Sequence, residues 1–165
     1  MSQAVTFDVN ALVGAVVEGN STFWSWPSPP PTGPYPAAEC IGIVNDAQEF
    51  SLWLSPHIVR NVIRVLVDPA GFRWPAERAE EYAGVLVEIA RASGGQIVEP
   101  GIWVSDCPDH EDNRILELAL TGNAALIVSS DHHLLEMSPW QGIPIIRPSH
   151  FTRRVDAMRR AARRR

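Results

Sequence analysis

A chain of 165 residues with 45% apolar and 20% charged residues suits one soluble globular domain with enough length to bury a core. No apolar run is long enough to span a membrane, the polar Asp8, Asn10 and Glu18 argue against a secretory leader, and Cys40 and Cys107 read as reduced thiols of a cytosolic protein rather than a disulfide framework. The net charge of −5 hides an asymmetry: residues 1–152 carry seven Arg against eighteen acids, or −11, while residues 153–165 carry seven Arg against Asp156, or +6.

Residues 4–7 form an expected strand that ends at Asp8, followed by a helix over 10–17 closed by Gly19-Asn20. An aspartate between a buried strand and a helix stands at the carboxyl edge of an α/β sheet, where open α/β folds place their ligands. The same position suits a helix N-cap equally well. Residues 21–38 are rich in proline and aromatics and carry no charge, which excludes a long helix or a central strand. They read as an exposed loop whose Trp24, Trp26 and Tyr35 dock on the body. Such a loop covers apolar surface, stacks on unpaired bases or holds a partner's peptide.

Residues 37–48 suit a helix and 50–54 a second strand. Ser55-Pro56 then supplies an N-cap and a first-turn proline for a helix over 57–67. Its apolar face is Ile58, Val62, Ile63 and Leu66, and its other side carries Arg60, Asn61 and Arg64. The turn at 68–71 ends it, because the residue before a proline avoids helical dihedrals. A long helix is expected from 75 to 93, stopped by Gly94-Gly95. Residues 96–100 form the expected third strand, with 102–104 extending or replacing it.

The segment 106–131 carries the densest chemistry. Ile115, Leu116, Leu118 and Ala119 have helical spacing, and Gly122-Asn123 stops that helix as a left-handed cap. Residues 124–130 follow as a buried strand ending at Asp131. A short helix after Asp131, a last strand over 143–146 and a final helix capped by Ser149 complete the chain. The arginine-rich end reads as a disordered solubilising tail, as an arm for a polyanion, or as an arm folded against an acidic partner. Strands alternating with helices argue for an α/β fold with a parallel sheet and helices on both faces.

In a parallel sheet Asp8 and Asp131 share one edge, and Asp112, in the first turn of the helix feeding the Asp131 strand, projects over it. Three carboxylates gathered there cannot all stay ionised without a cation. Hard oxygen ligands suit Mg²⁺ or Mn²⁺, ions that serve phosphodiester hydrolysis. Each acid also has a simpler reading: Asp109 and Asp112 as a capping pair, Asp131 as an N-cap, Asp106 as a loop residue. His110, His132 and His133 lack zinc-protease spacing and read as exposed polar residues. Cys107 has no positioned base and does not read as a nucleophile. Arg60, Arg64 and Arg114 are either ordinary surface arginines or phosphate contacts.

The segments FDVNALV, LSPHIVRNVIRVL, DHEDNRILELAL, IVSSDHHLL and GIPIIRPSHF, in this order over residues 5–151, resemble those of PIN-domain proteins of the VapC-like ribonuclease toxin type. The resemblance implies a Rossmann-like PIN domain over 1–152 with an insertion at 21–38 and a basic tail at 153–165. It also implies a cytoplasmic, Mg²⁺- or Mn²⁺-dependent endoribonuclease acting on RNA and neutralised by a cognate small antitoxin, in a family where homodimers are common. It places Asp8, Asp112 and Asp131 on the metal, with Asn10 and Ser129 as polar supports. Asn61 stands where the family usually has an acid, leaving Glu111 or Asp109 to supply the charge, and His133 stands where a second aspartate is frequent. The alternative is a catalytically weakened PIN-like module that binds RNA or protein. A nucleotide-binding α/β protein is a third reading, but no glycine-rich loop follows the first strand.

Overall fold

The computed structural model describes residues 2–18, 23, 25–27, 29 and 33–165. Strand β1 (Gln3–Phe7) leads into α1 (Val9–Val17), and α2 (Pro36–Asp46) precedes β2 (Phe50–Leu52). Helices α3 (Pro56–Val67) and α4 (Ala76–Ala92) follow, then α5 (His110–Thr121), β3 (Leu126–Val128), α6 (His132–Glu136), β4 (Ile145–Ile146) and α7 (Pro148–Arg163). The four strands are parallel in the order β2-β1-β3-β4 and are flanked by the helices, as the alternating sequence pattern predicts. Val5 pairs with Leu52 on one side and Leu126 on the other, so β1 lies at the centre of the sheet. Its apolar residues Val5 and Phe7 are buried, as are all residues of β2, β3 and β4.

The expected third strand does not form. Residues 96–100 contribute one parallel bridge, Leu54 with Ile97, held by Leu54 N to Gln96 O at 3.0 Å and Val98 N to Leu54 O at 2.9 Å. The chain reaches this bridge through Gly95, where a Cβ would lie 1.8 Å from the Leu52 carbonyl oxygen, so only glycine permits the approach. Pro100 and Gly101 then turn the chain away before a ladder is built. Residues 102–104 form no strand either; Ile102 and Trp103 are exposed.

The expected helix stop at Gly19-Asn20 and the docking of Trp24 lie outside the described residues. Trp26 does pack on the core, its ring 6.2 Å from that of Tyr82, but Tyr35 is exposed. The anchor of this segment is instead Phe23, buried between Trp74 and Tyr82 with ring centroids at 5.7 and 5.2 Å. At the end of α5 the left-handed residue is Asn123 (φ 50), while Gly122 is still helical (φ −84). Gly122 serves packing: a Cβ there would meet the Trp53 ring at 3.0 Å.

Ser149 does not cap α7. Arg147 occupies the N-cap without a side-chain bond, and Pro148 starts the first turn two residues earlier than expected. The arginine-rich end is helical to Arg163, so position 153 falls inside α7. Phe151 fixes this helix, its ring edge-on to Phe7 at 5.8 Å and Phe50 at 5.0 Å. Arg159 adds a two-pronged pair with Glu49 at 2.8 and 3.0 Å and a bond to Asp46 at 3.2 Å. One arginine of the basic end is thereby folded against acids of the chain itself. No helix among the described residues is long and apolar enough to cross a membrane.

Candidate metal centre

The strand order creates a switch point. From β1 the chain crosses to β2 on one side, and from β3 it crosses to β4 on the other. The adjacent carboxyl ends of β1 and β3 therefore open into a crevice uncovered by either crossover, the usual ligand site of open α/β sheets. Asp8 follows β1, and Ser129 and Asp131 follow β3.

Asp8 serves as cap and cleft residue together. Its Oδ1 accepts from Ala11 N at 2.8 Å, capping α1, and its Oδ2 accepts from the Ser129 hydroxyl. Ser129 is fully buried behind the cleft, and its Oγ also accepts from Asp131 N at 3.0 Å. Asp131 in turn caps α6 by accepting from His133 N at 2.8 Å. A single hydroxyl thus sets the relation between the two strand-end acids. Burial, reinforced by the Asp131 charge, pushes the Asp8 carboxyl up to about 6.

The opposite wall comes from α3 and α5. Asp109 caps α5 through Glu111 N at 2.8 Å, which turns Glu111 and Asp112 into the first helical turn. Asp112 accepts from the Cys107 thiol at 3.6 Å. Burial, followed by the charges of Asp131, Asp109 and Asp8, also pushes Asp112 up to about 6. Asn61, buried on α3, donates from its amide to Glu111 Oε2, and His57 Nε2 meets the same oxygen at 2.7 Å. Burial alone would raise Glu111, but the hydrogen bonds from His57 and Asn61, with the charges of His57 and Arg64, hold it below its ordinary value. Glu111 therefore brings a carboxylate to the side chain of Asn61.

Most of the expected site residues converge. Asp8, Asn10, Asp112 and Asp131 line one cleft of about 200 Å³, faced by Asn61, Arg64, Asp109 and Glu111. Arg60 and Arg114 lie outside it on a neighbouring groove. Asp106 accepts from Trp140 Nε1 at 2.8 Å and takes no part in the cleft. His132 and His133 are exposed, with ring centroids 4.0 Å apart, and ligand atoms of Asp131, His132 and His133 lie within 4.8 Å of one another. The cleft itself offers oxygen donors of high charge density with room left between them. That set fits Mg²⁺ or Mn²⁺, and the raised values of Asp8 and Asp112 express burial first and the repulsion of neighbouring acids second, both of which a cation would offset.

Two positioning residues were not anticipated. Asn113, almost fully buried, accepts from Cys107 N and donates to Cys107 O, both at 2.8 Å, tying the acidic loop to α5. Glu117, one turn further, accepts from Val104 N at 2.9 Å and pairs with Arg114 at the same distance. The signal available in sequence was two polar residues spaced i, i+4 on the apolar face of a helix.

A family model described as the PIN domain matches residues 4–133 of the chain. No curated protein matches it.

Proposed function

The chain belongs to the PIN-domain family, whose members are generally nucleases that use divalent metal ions, and from that premise we propose that it is a Mg²⁺- or Mn²⁺-dependent endoribonuclease, the toxin of a toxin–antitoxin pair. The observation that carries this reading is the meeting of Asp8, Asp112 and Asp131 in one cleft at the switch point of the sheet. In the proposed site these three carboxylates hold the metal, with Asn61, Glu111 and Asp109 as further oxygen donors on the opposite wall. When bound, the ion polarises a phosphoryl oxygen and acidifies water.

The remaining work falls to the protein. Ser129 orients Asp8 by donating to one of its oxygens while the α1 cap holds the other. Asn61 and His57 orient Glu111, which stays ionised at neutral pH and accepts a proton or a hydrogen bond at the cleft wall. Arg64 lines the same cleft and offers a positive charge to the scissile phosphate, which an all-acidic site would repel. Asn10 adds a polar group at the start of α1. Residues 1–152 form the proposed nuclease unit, and the segment 21–38 and the basic residues 153–165 are the proposed contacts for a small cytoplasmic antitoxin.

The test is cleavage of a single-stranded RNA in Mg²⁺ or Mn²⁺ by the wild type, Asp8→Asn and Asp112→Asn. Loss of cleavage in both variants is expected, and equal residual activity in all three sinks the assignment. Asn61 favours a second reading, a catalytically weakened RNA- or protein-binding module. Titration with Mn²⁺ separates the two, since saturable binding abolished by Asp131→Asn counts against the weakened module. The antitoxin assignment fails if co-expression of the neighbouring small reading frame leaves growth arrest unchanged.

A further inference from the structure

Trp103 is the most exposed large apolar side chain of the described residues, at 73%, although both of its attachments are fixed. Its neighbour Val104 is buried and donates its N–H to Glu117 at 2.9 Å. The same Glu117 oxygen holds Arg114 at 2.9 Å, and the Arg114 guanidinium carbon sits 4.1 Å from the centre of the Trp103 ring. The buried Nε of Arg114 has no hydrogen-bond partner, so the guanidinium is placed for the ring at the cost of one unmet donor. One face of the indole is thereby covered by a cation, and the other stands in solvent. With the neighbouring Ile102 also exposed, the indole presents an ordered, flat, apolar face to solvent.

The surroundings indicate which occupant. The groove beside Trp103, about 270 Å³, is also lined by His57, by the cations Arg60 and Arg114, and by the acids Glu99 and Glu117, the second of which is paired with Arg114. It adjoins the acidic cleft across His57, which bonds the cleft residue Glu111 at 2.7 Å. Glu111 and Arg114 are three residues apart on α5, so the residue that backs the platform starts about one helical turn, roughly 5 Å along the axis, from a residue that lines the cleft. A flat π-face flanked by cations and placed one step from a phosphodiester site matches a nucleotide strand better than a peptide. We propose that Trp103, backed by Arg114, is a stacking platform for an unpaired base of the RNA strand whose phosphodiester enters the acidic cleft. This rests on the nuclease reading and deepens it: the substrate is single-stranded at the platform, and the contact tolerates any base.

The experiment is fluorescence anisotropy of a labelled single-stranded RNA with the full chain in EDTA, where binding is read without cleavage. Trp103→Ala should weaken binding roughly five- to a hundredfold, the range for one stacked base, and Trp103→Phe should retain most of it. An abasic residue scanned along the RNA should reproduce the loss at one position in the wild type and cost Trp103→Ala nothing further there. Equal binding by wild type and Trp103→Ala overturns the platform, and if the wild type still cleaves RNA in Mg²⁺ the nuclease reading survives. Absence of RNA binding and cleavage by the wild type overturns both. Unchanged RNA binding with loss of a protein partner reassigns Trp103 to a protein interface and overturns the platform as well.

Discussion

The two walls of the cleft hold their carboxylates in different ways. At the sheet edge, Asp8 and Asp131 are each the residue that ends a strand and caps the next helix, with buried Ser129 between them. Their positions follow from chain reversal itself, and Asp8 is left with a carboxyl pushed up to about 6 by burial. At the helix wall, neutral Asn61 stands on α3, and the charge is brought from α5 by the half-exposed Glu111. The first wall is fixed by two helix caps and a buried hydroxyl; on the second, Asp112 is strained as Asp8 is, its carboxyl also pushed up to about 6, while the Asn61–Glu111 pair is relaxed. Function and stability should therefore separate at the sheet edge, where the fold retains a charge that its burial disfavours.

Asp8→Asn gives the largest contrast. The amide oxygen can still cap α1, but the buried charge is gone. Loss of a carboxylate from the proposed metal site should reduce cleavage by more than about a hundredfold, beyond the range of a supporting contact. Stability of the metal-free protein at pH 7 should stay within about 1 kcal/mol of wild type or rise. Cleavage assays beside thermal denaturation in EDTA read both. A large fall in stability would mean that the charge itself holds the two strand ends together.

The helix wall should respond less and be open to repair. Glu111→Gln keeps the hydrogen-bonding shape toward His57 and Asn61 but removes the charge, and should weaken Mn²⁺ binding and cleavage roughly 10- to 100-fold. Asn61→Asp in that background returns a carboxylate to the same wall and should recover most of the loss. In the wild type Asn61→Asp should gain little, because its carboxyl would meet Glu111 at hydrogen-bond distance and one of the two would keep a proton. Calorimetric titration of the three variants decides it. Failure of the double variant to recover would place Glu111 in proton transfer or local packing rather than charge supply.

The same contrast explains what was legible in the sequence. Strands that end in aspartate and precede helices fix their own place once the sheet is parallel, so Asp8, Asp112 and Asp131 could be gathered without coordinates. The order β2-β1-β3-β4, which makes Asp8 and Asp131 neighbours, depends on side-by-side pairing that leaves no local mark. The anchors Asn113 and Glu117 were hidden because a polar residue on an apolar helix face looks like a flaw in periodicity until its backbone partners are seen. In the arginine-rich end the charges obscured Phe151, the one ring that seats α7 on the sheet. Residues 96–100 have strand composition, but Gly95 and Pro100 restrict them to a single bridge. The family match to residues 4–133 stops before β4, which pairs with β3, and before α7, which Phe151 ties to β1 and β2.

The smallest effect is set by pH and should separate Asp8 and Asp112, one on each wall, from Glu111. Asp8 and Asp112 move from 3.8 to about 6 on folding. Between those values the folded protein keeps protons that the unfolded chain has released. Stability of the metal-free protein should therefore fall as pH rises from 3.8 to about 6 and level off above. A metal must displace the same protons, so Mn²⁺ affinity should fall with acidification, by about tenfold per unit below the raised values for each proton displaced. Glu111 is held below its ordinary value by His57 and Asn61 and so does not share the upward shift of Asp8 and Asp112. Glu111→Gln should accordingly bind Mn²⁺ more weakly at every pH with an unchanged slope, whereas Asp8→Asn should give a shallower one. Titrations at pH 5, 6 and 7 measure both slopes. A changed slope in Glu111→Gln beside an unchanged one in Asp8→Asn would reverse the assignment of strain to Asp8 rather than to Glu111.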